Sequence, residues 1–589
     1  MLQWINRKKE THSRDRILKS TLSTMSRGAA GGAYMRLQMK RKDSSNYEQE
    51  SRSTTAAGPP SYTFHKGWHI NKSKIRLSSL PHLIFMTVTC LVLIVSPVSW
   101  LSLQVYNQTF VKQILRIPNS KIPGLWIPHT RQFMDVPAHA RKVACLSTGQ
   151  IGMKRALQSR GWKVIDLGTR KPRKKTVVED TKECARNGWA ELIWTKSKHN
   201  SSRVQQPWQR HSWITHQGIM SQKASLLKAL QNYTARTGTP LDFVPETFTL
   251  PNDRDQLMER LDHGLDEPWV IKLASTDNGM GIAMVGPQST ELVLLQNILQ
   301  STANITQAVA RIREELVHQQ KNDKRSKQAV EEARQRSILH NDEIIVQRYV
   351  CNELQYKNHK FDLRVYFLIA SVNPLLVFYH DGSLRVAPGQ YNSLDFSSTH
   401  DHLTNLGQHR GSNNASASFK EWELSLKQHV DLHPDLFTPN IRSDPLGHIR
   451  NQIKSALAQV IASVRRKAFY GYPLAGSPRS TSHSNVHTYM ENGFALMGAD
   501  FIIDQQLNIY MTEAQSSPGL ADTLPTKREL NDRLLGHKID ILEDVRHKQA
   551  NHEALLPMAQ NVLGGYELIY TDDFKYRYKF ERKPQRGSC

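Results

Sequence analysis

Two apolar runs near the end of the chain, Ala499-Asp500-Phe501-Ile502-Ile503-Asp504 and Asn508-Ile509-Tyr510-Met511-Thr512-Glu513-Ala514-Gln515, flank a turn at Gln505-Gln506. Branched and aromatic residues on either side of so short a polar break form a β-hairpin. This hairpin carries an acid on each arm, Asp500 and Glu513. Opposed carboxylates on paired strands repel, which favours a bound cation between them. Two strand carboxylates meeting at one end are hard oxygen ligands of the kind a magnesium–nucleotide complex uses, with positions left for phosphate and water.

Upstream runs supply charges of the opposite sign. Pro268-Trp269-Val270-Ile271-Lys272 reads as an apolar strand ending in a lysine, and it enters the loop Ser275-Thr276-Asp277-Asn278-Gly279-Met280-Gly281-Ile282. A lysine beside a glycine loop suits a polyphosphate, because backbone N–H groups approach closely and the ammonium offsets charge. A plain hairpin turn accounts for the two glycines equally well. Glu343 to Val350 reads as a further strand. In His359-Lys360-Phe361-Asp362-Leu363-Arg364-Val365-Tyr366-Phe367, alternation puts Lys360, Asp362 and Arg364 on one face of a strand and Phe361, Leu363 and Val365 on the other. Three charges on one sheet face require either solvent at an exposed edge or a ligand.

The beginning of the chain has another character. Residues 1–80 hold sixteen Lys/Arg against five Asp/Glu, with no sustained apolar period, which reads as a disordered basic tail. No charged residue occurs between Arg76 and Lys112, and an uncharged stretch of that length crosses a bilayer as one helix. Residues 82–103 are therefore expected to be a single-pass signal-anchor. The basic tail tilts the charge rule toward a cytoplasmic N-terminus and a luminal remainder. The chain's net charge of +25 calls for a partner of opposite sign. No zinc-finger spacing or RNA-binding sheet motif occurs, so nucleic acid is not expected. Cys145, Cys184, Cys351 and Cys589 are widely separated without CxxC spacing, and no disulfide framework or structural zinc site is implied.

From about residue 140 the pattern becomes α/β. Lys142–Leu146, Met153–Arg160 and Trp162–Ile165 read as strand, helix and strand, opening a small α/β domain at 140–240. A larger α/β or α+β region follows at 241–530. Two stretches within it look inserted: 288–341, polar and largely helical, and 406–492, with an amphipathic helix near Ile449–Ala468 and a Gly/Pro/Ser-rich loop. Residues 531–589 read as a C-terminal helix and a basic tail.

The order of these runs resembles the tubulin–tyrosine ligase-like family. The resemblance rests on Trp-Val-Ile-Lys, Gly-x-Gly-Ile, Val-Gln-x-Tyr-Val, Lys-Phe-Asp-Leu-Arg-Val-Tyr, His-Leu-Thr-Asn, Asp-Phe-Ile-Ile-Asp and Glu-x-Gln-x-Ser-Pro, in that order. Ile193-Trp194-Thr195, Gln209-Arg210-His211, Lys223 and Val244-Pro245-Glu246-Thr247-Phe248 are similar to its earlier landmarks. It covers roughly 140–525 and implies an ATP-grasp fold preceded by a small α/β domain, with ATP and Mg2+ as cofactors.

By position, the resemblance implies that Lys223 and Lys272 contact phosphates, beside Gly279 and Gly281. Gln347, Arg348, Tyr349 and Val350 would line the adenine pocket, mostly by backbone, with Lys360 nearby and Asp362 facing the ribose. Arg364 and Arg385 would hold the γ-phosphate or an acyl-phosphate, making them, with Lys272, the catalytic set. Thr404 and Asn405 would lie near the phosphates or the amino acid. Asp500, Glu513 and Gln515 would carry Mg2+. The chain departs from the family pattern at Leu273, at Asn278 and at Gln515, where an asparagine is usual.

The implied reaction joins a free amino acid, glutamate first among the candidates, to a carboxylate of an acidic protein tail through an acyl-phosphate. Tubulin is the expected acceptor if the domain is cytosolic. Two other readings stay open: a membrane-held module that binds ATP without ligating, and the same chemistry on a luminal acceptor.

Overall fold

A computed structural model describes residues 135–572, apart from 148–149, 168–183, 185, 195–205, 207, 215, 263–265, 275–280, 302–306, 313–342, 394, 397–401, 405–415, 470–491 and 523. The basic tail and the 82–103 span lie outside the described residues, as do Asn278, Gly279 and Asn405. Among the described residues, no helix is long and apolar enough to cross a membrane.

The architecture is mixed α/β, in three sheets that follow one another along the chain. The first contains β1 (Val143–Leu146), β2 (Lys163–Asp166), β3 (Leu192–Trp194) and β4 (Arg210–His211), in the order β2-β1-β3-β4. Every pairing in it is parallel, and helix α1 (Ile151–Gln158) links the first two strands. The β-α-β opening read from the sequence is thus present. Cys145 on β1 is disulfide-bonded to Cys184, and both side chains are fully buried. This corrects the expectation drawn from cysteine spacing. The two cysteines are 39 positions apart, and nothing local in the sequence signals the contact.

The second sheet, in the order β5-β8-β6-β7, holds β5 (Thr247–Leu250), β6 (Trp269–Leu273), β7 (Ile282–Val285) and β8 (Ile344–Arg348), all antiparallel. Helices α2 (Lys223–Thr237) and α3 (Arg254–Asp262) flank β5 in sequence, and α4 (Thr290–Ser301) follows β7. The helix α4 lies in the stretch read as a polar insertion. Its apolar side is nonetheless core: Leu292, Leu295, Ile298 and Leu299 pack with Trp269, Ile344 and Val346 beneath this sheet. Gly281 enters β7 at φ +65, and a Cβ there would stand 2.7 Å from Leu273 Cδ1, so backbone handedness and close approach both demand glycine.

The third sheet is the largest. Strands β9 (Phe361–Val372), β10 (Leu375–Val386), β11 (Ser416–Ser418), β12 (Ala495–Ile503), β13 (Ile509–Gln515) and β14 (Tyr566–Thr571) run in the order β11-β10-β9-β12-β13, with β14 on β10. Helix α5 (Phe419–Leu432) starts at a reciprocal capping box between Ser418 and Glu421. The amphipathic run predicted near Ile449 is α6 (Pro445–Ala468), and Ile449, Ile453, Leu457, Val460, Ile461 and Val464 seat it on the sheet.

Strand β9 is central, so the exposed-edge explanation for its charges fails. It lies between β10 and β12 and is buried along its whole length. On one face Phe361, Leu363, Val365, Phe367 and Ile369 join the core under α6. The other face begins with Asp362 and Arg364 and turns apolar at Tyr366, Leu368 and Ala370, which pack beneath helix α7 (Pro525–Ala550).

The same helix α7 ties the first sheet to the third. Arg160 meets Asp540 through two N–H groups at 2.6 Å, and Trp162 Nε1 donates to Glu543 at 2.8 Å. Arg210 on β4 donates to the carbonyls of Leu542 and Ala370. Burial lowers this guanidinium to about 9, with Arg546 adding to the effect.

Candidate active site

A cleft of about 970 Å³, its open mouth included, takes lining residues from both the second and the third sheet. The floor comes from the third sheet, where register decides which charges meet. Asp362 on β9 stands opposite Arg385 on β10. Arg364, two residues further along β9, stands opposite Asp500 on β12, and Asp500 stands opposite Glu513 on β13. Alternation keeps Asp362 and Arg364 on one face, and cross-strand pairing then sets opposite signs side by side.

These charges are interlocked. Arg364 holds both oxygens of Asp500, through Nε on Oδ1 and Nη2 on Oδ2. Arg385 holds both oxygens of Asp362 and reaches Asp500 Oδ2 at 2.5 Å. Thr404 donates its hydroxyl to Asp362 Oδ2. Burial alone would raise the Asp500 carboxyl, but Arg364 and Arg385 outweigh it and hold that carboxyl below the usual range. Because a guanidinium has five N–H donors, both arginines keep donors beyond those that fix their orientation.

The opposite wall comes from the second sheet. Lys272 on β6 donates to Gln347 Oε1 at 2.7 Å, and Gln347 Nε2 donates to the Thr247 hydroxyl at 2.8 Å. Burial brings the Lys272 ammonium from 10.5 to about 8, and Lys223 adds to the effect. Lys223, at the start of α2, lies 3.5 Å from Glu513. Lys272 from the second sheet and Lys223 from α2 thus share one cleft with the acids of the third sheet.

Beyond Gln347 the chain leaves β8 through Arg348, Tyr349 and Val350. The amides of Arg348 and Tyr349 are already bonded to the carbonyls of Glu246 and Pro268, at 2.9 Å each. Tyr349 contributes a buried side chain as well: its hydroxyl lies 2.7 Å from His402 Nδ1, 2.9 Å from the Tyr391 hydroxyl and 3.1 Å from Lys360 Nζ. Lys360 also pairs with Glu353, whose side chain is 1% exposed. Glu353 and Tyr391 were not singled out from the sequence, and His402 entered only as the first residue of the His-Leu-Thr-Asn run. Glu353 lies in the connection between two strands, where a single acid gives no periodic signal.

Two expected ligands differ in their surroundings. Glu513 lines the cleft. Gln515, two residues on, donates its amide nitrogen to Glu513 Oε1 at 2.6 Å and stands opposite Gly498. Asp504, at the turn of the same hairpin, accepts from the amides of Gln506 and Asn508, from the Asn508 side chain and from Tyr510. It builds the turn. Among the described residues, no three His, Cys, Asp or Glu side chains group around one metal position. The available donor set is two carboxylates with neighbouring amide and hydroxyl oxygens. That set fits magnesium, which binds through one or two carboxylates and takes its other ligands from phosphate and water.

The family model described as "Tubulin-tyrosine ligase family" matches residues 200–549. The probable alpha-tubulin polyglutamylase Ttll1 of Tetrahymena thermophila is 24% identical over 339 residues, 56% of this chain and 68% of its own length. The probable tubulin polyglutamylase TTLL9 of Rattus norvegicus is 22% identical over 395 residues, 65% of this chain and 77% of its own. A human relative named as an inactive polyglycylase, TTLL10, is 24% identical over 54% of this chain and 41% of its own length.

Proposed function

This chain belongs to the tubulin-tyrosine ligase family, and from that premise we propose that it is an ATP-dependent ligase of the ATP-grasp type that joins an amino acid, glutamate first, to a carboxylate of an acidic protein tail. One observation carries the reading: Lys223 and Lys272 face Asp500 and Glu513 across one cleft, with Arg385 on its floor and Arg364, which does not itself line the cleft, paired to Asp500.

The reaction has two steps. An acceptor carboxylate oxygen attacks the γ-phosphorus of ATP; an O–P bond forms, the bond to the β-phosphate oxygen breaks, and ADP leaves. The amine of the free amino acid then attacks the acyl carbon, the C–O bond to phosphate breaks, and the amine loses a proton as the amide forms. No covalent protein intermediate is required. Catalysis rests on positioning and charge neutralisation. Lys272 and Lys223 hold phosphate oxygens, the spare N–H groups of Arg385 meet charge on the transferring group, and Arg364 fixes Asp500 from behind. Glu513, with Asp500 beside it, would hold Mg2+, which would neutralise phosphate charge. The net charge of +25 suits an acidic tail such as tubulin's, and polyglutamylases are among the relatives.

The test is incorporation of labelled glutamate into an acidic tail peptide by the purified chain with ATP and magnesium. ATP-dependent incorporation is expected. ATP binding without incorporation would favour a binding module, and no ATP binding would remove the reading.

A second reading of the acceptor has its own support. Structural disulfides persist in oxidising compartments, and the Cys145–Cys184 bond accords with a luminal ligase held by a span at 82–103, acting on a secretory-pathway acceptor. Protease protection of the C-terminal region in sealed microsomes supports this reading; digestion without detergent refutes it.

A further inference from the structure

Glu353 lines the cleft yet has no part in the reaction as proposed. Its backbone is pinned. Glu353 bridges Asp504, the next amide, Leu354, donates to Ile503 O at 2.8 Å, and Gln505 N donates to Asn352 O at 2.8 Å. One side-chain oxygen, Oε1, takes the Lys360 ammonium. The other, Oε2, is buried with no hydrogen bond of normal geometry, although the Tyr349 hydroxyl, itself shared with His402 and Tyr391, is close enough to favour the ionised carboxylate. Lys360 is not free to serve both: it also donates to the Tyr349 hydroxyl at 3.1 Å and lies 4.9 and 5.3 Å from the ring centres of Tyr349 and Tyr391. An unpaired carboxylate oxygen at such burial is costly. The cost is recovered if a ligand brings a proton donor to it.

Position along the sheet says which part of a ligand that is. Lysines and acids mark the phosphate end near Arg364 and Asp500. Along the charged face of β9, Asp362 lies two residues before Arg364 and Lys360 two before that, so Lys360 stands roughly 13 Å from Arg364 at strand spacing. Glu353 lies beyond Lys360, next to the Tyr349 segment. Asp362, the residue expected at the ribose, already takes Arg385 on both oxygens and Thr404 on one. Glu353 differs in keeping one oxygen, Oε2, with no hydrogen bond of normal geometry on it.

We infer that Glu353 reads the nucleoside: its free oxygen accepts a hydrogen bond from the nucleoside half of the bound nucleotide, either from a ribose hydroxyl or from the 6-amino group of the base. This rests on the nucleotide reading above and adds a residue that selects for the ligand. Glu353→Gln keeps the shape and an oxygen for Lys360 but presents an NH2 group where Oε2 was.

The experiment titrates the full chain calorimetrically with the magnesium complexes of ATP, 2′-deoxy-ATP, 3′-deoxy-ATP and ITP, for wild type and E353Q. One analogue is expected to bind wild type on the order of 10- to 100-fold more weakly than ATP, and that penalty should shrink to about threefold or less in E353Q. The analogue that couples names the donor: a deoxy analogue points to the sugar, ITP to the base amine. Equal penalties in both proteins overturn the inference while leaving ATP binding intact. Failure of wild type to bind any nucleotide overturns it together with the nucleotide reading. Glu353→Leu combined with Lys360→Met removes both charges and is read the same way if E353Q does not fold.

Discussion

Arg364 and Asp500, on adjacent strands, meet through two parallel N–H···O contacts, Nη2 on Oδ2 being 2.8 Å long. Both groups are buried, and Arg385 shares the same carboxylate. Asp500 and Glu513 are therefore unequal as metal ligands. Asp500 has both oxygens engaged by arginine, whereas Glu513 faces the cleft with Lys223 and Gln515 beside it.

Arg364→Ala should cost both stability and rate. Removing one partner leaves Asp500 buried with half its compensation, a loss of about 3–5 kcal/mol. Denaturant unfolding checks that part. In the fraction that stays folded, turnover should fall by more than nucleotide affinity does. Unchanged stability would mean that solvent reaches Asp500.

Glu513→Ala should leave the fold intact, because its side chain is 22% exposed and its partner Lys223 is near the cleft. Amino-acid incorporation should drop by about 100-fold or more. A thermal melt beside the incorporation assay separates the two effects, and undiminished incorporation would remove Glu513 from the metal site.

Lys272 gives the pH dependence. Its ammonium titrates at about 8 in the fold against an ordinary 10.5. Between those values the unfolded chain holds the extra proton, so this residue's contribution to stability rises with pH. Nucleotide affinity runs the other way, since phosphate binding needs the charged form. Affinity should weaken above about pH 8 by up to tenfold per unit, and Lys272→Arg should flatten that slope. Binding titrations from pH 7 to 9.5 decide it.

Cys184→Ser should lower unfolding free energy by up to about 4 kcal/mol through the loop that the bond closes. Reductant should shift the wild type by more than it shifts the variant, since Cys351 is disulfide-bonded in both. Equal melting of all samples would show that the bond contributes nothing.

The sequence made the hairpin acids, Lys272 and the charged face of β9 legible, because strand alternation assigns side chains to faces without reference to partners. It could not show that β9 is central. That depends on β10 and β12, and β12 begins more than a hundred residues after β9 ends. Helix α4 falls in the stretch read as a polar, largely helical insertion, and its apolar side shows only in its packing against Trp269. Glu353 and the cysteine pair were missed for a related reason. Each acquires its meaning from a neighbour distant in sequence, and composition carries no trace of it.

The change of character along β9 makes the strand its own alignment key. Slipping it by a single position against β12 would turn Asp362 and Arg364 toward the apolar layer under α6 and bring Phe361 and Leu363 into the cleft. Misaligned pairings are thereby penalised on both sides of the sheet at once, and the groups that would handle phosphate also discourage the chain from folding out of register.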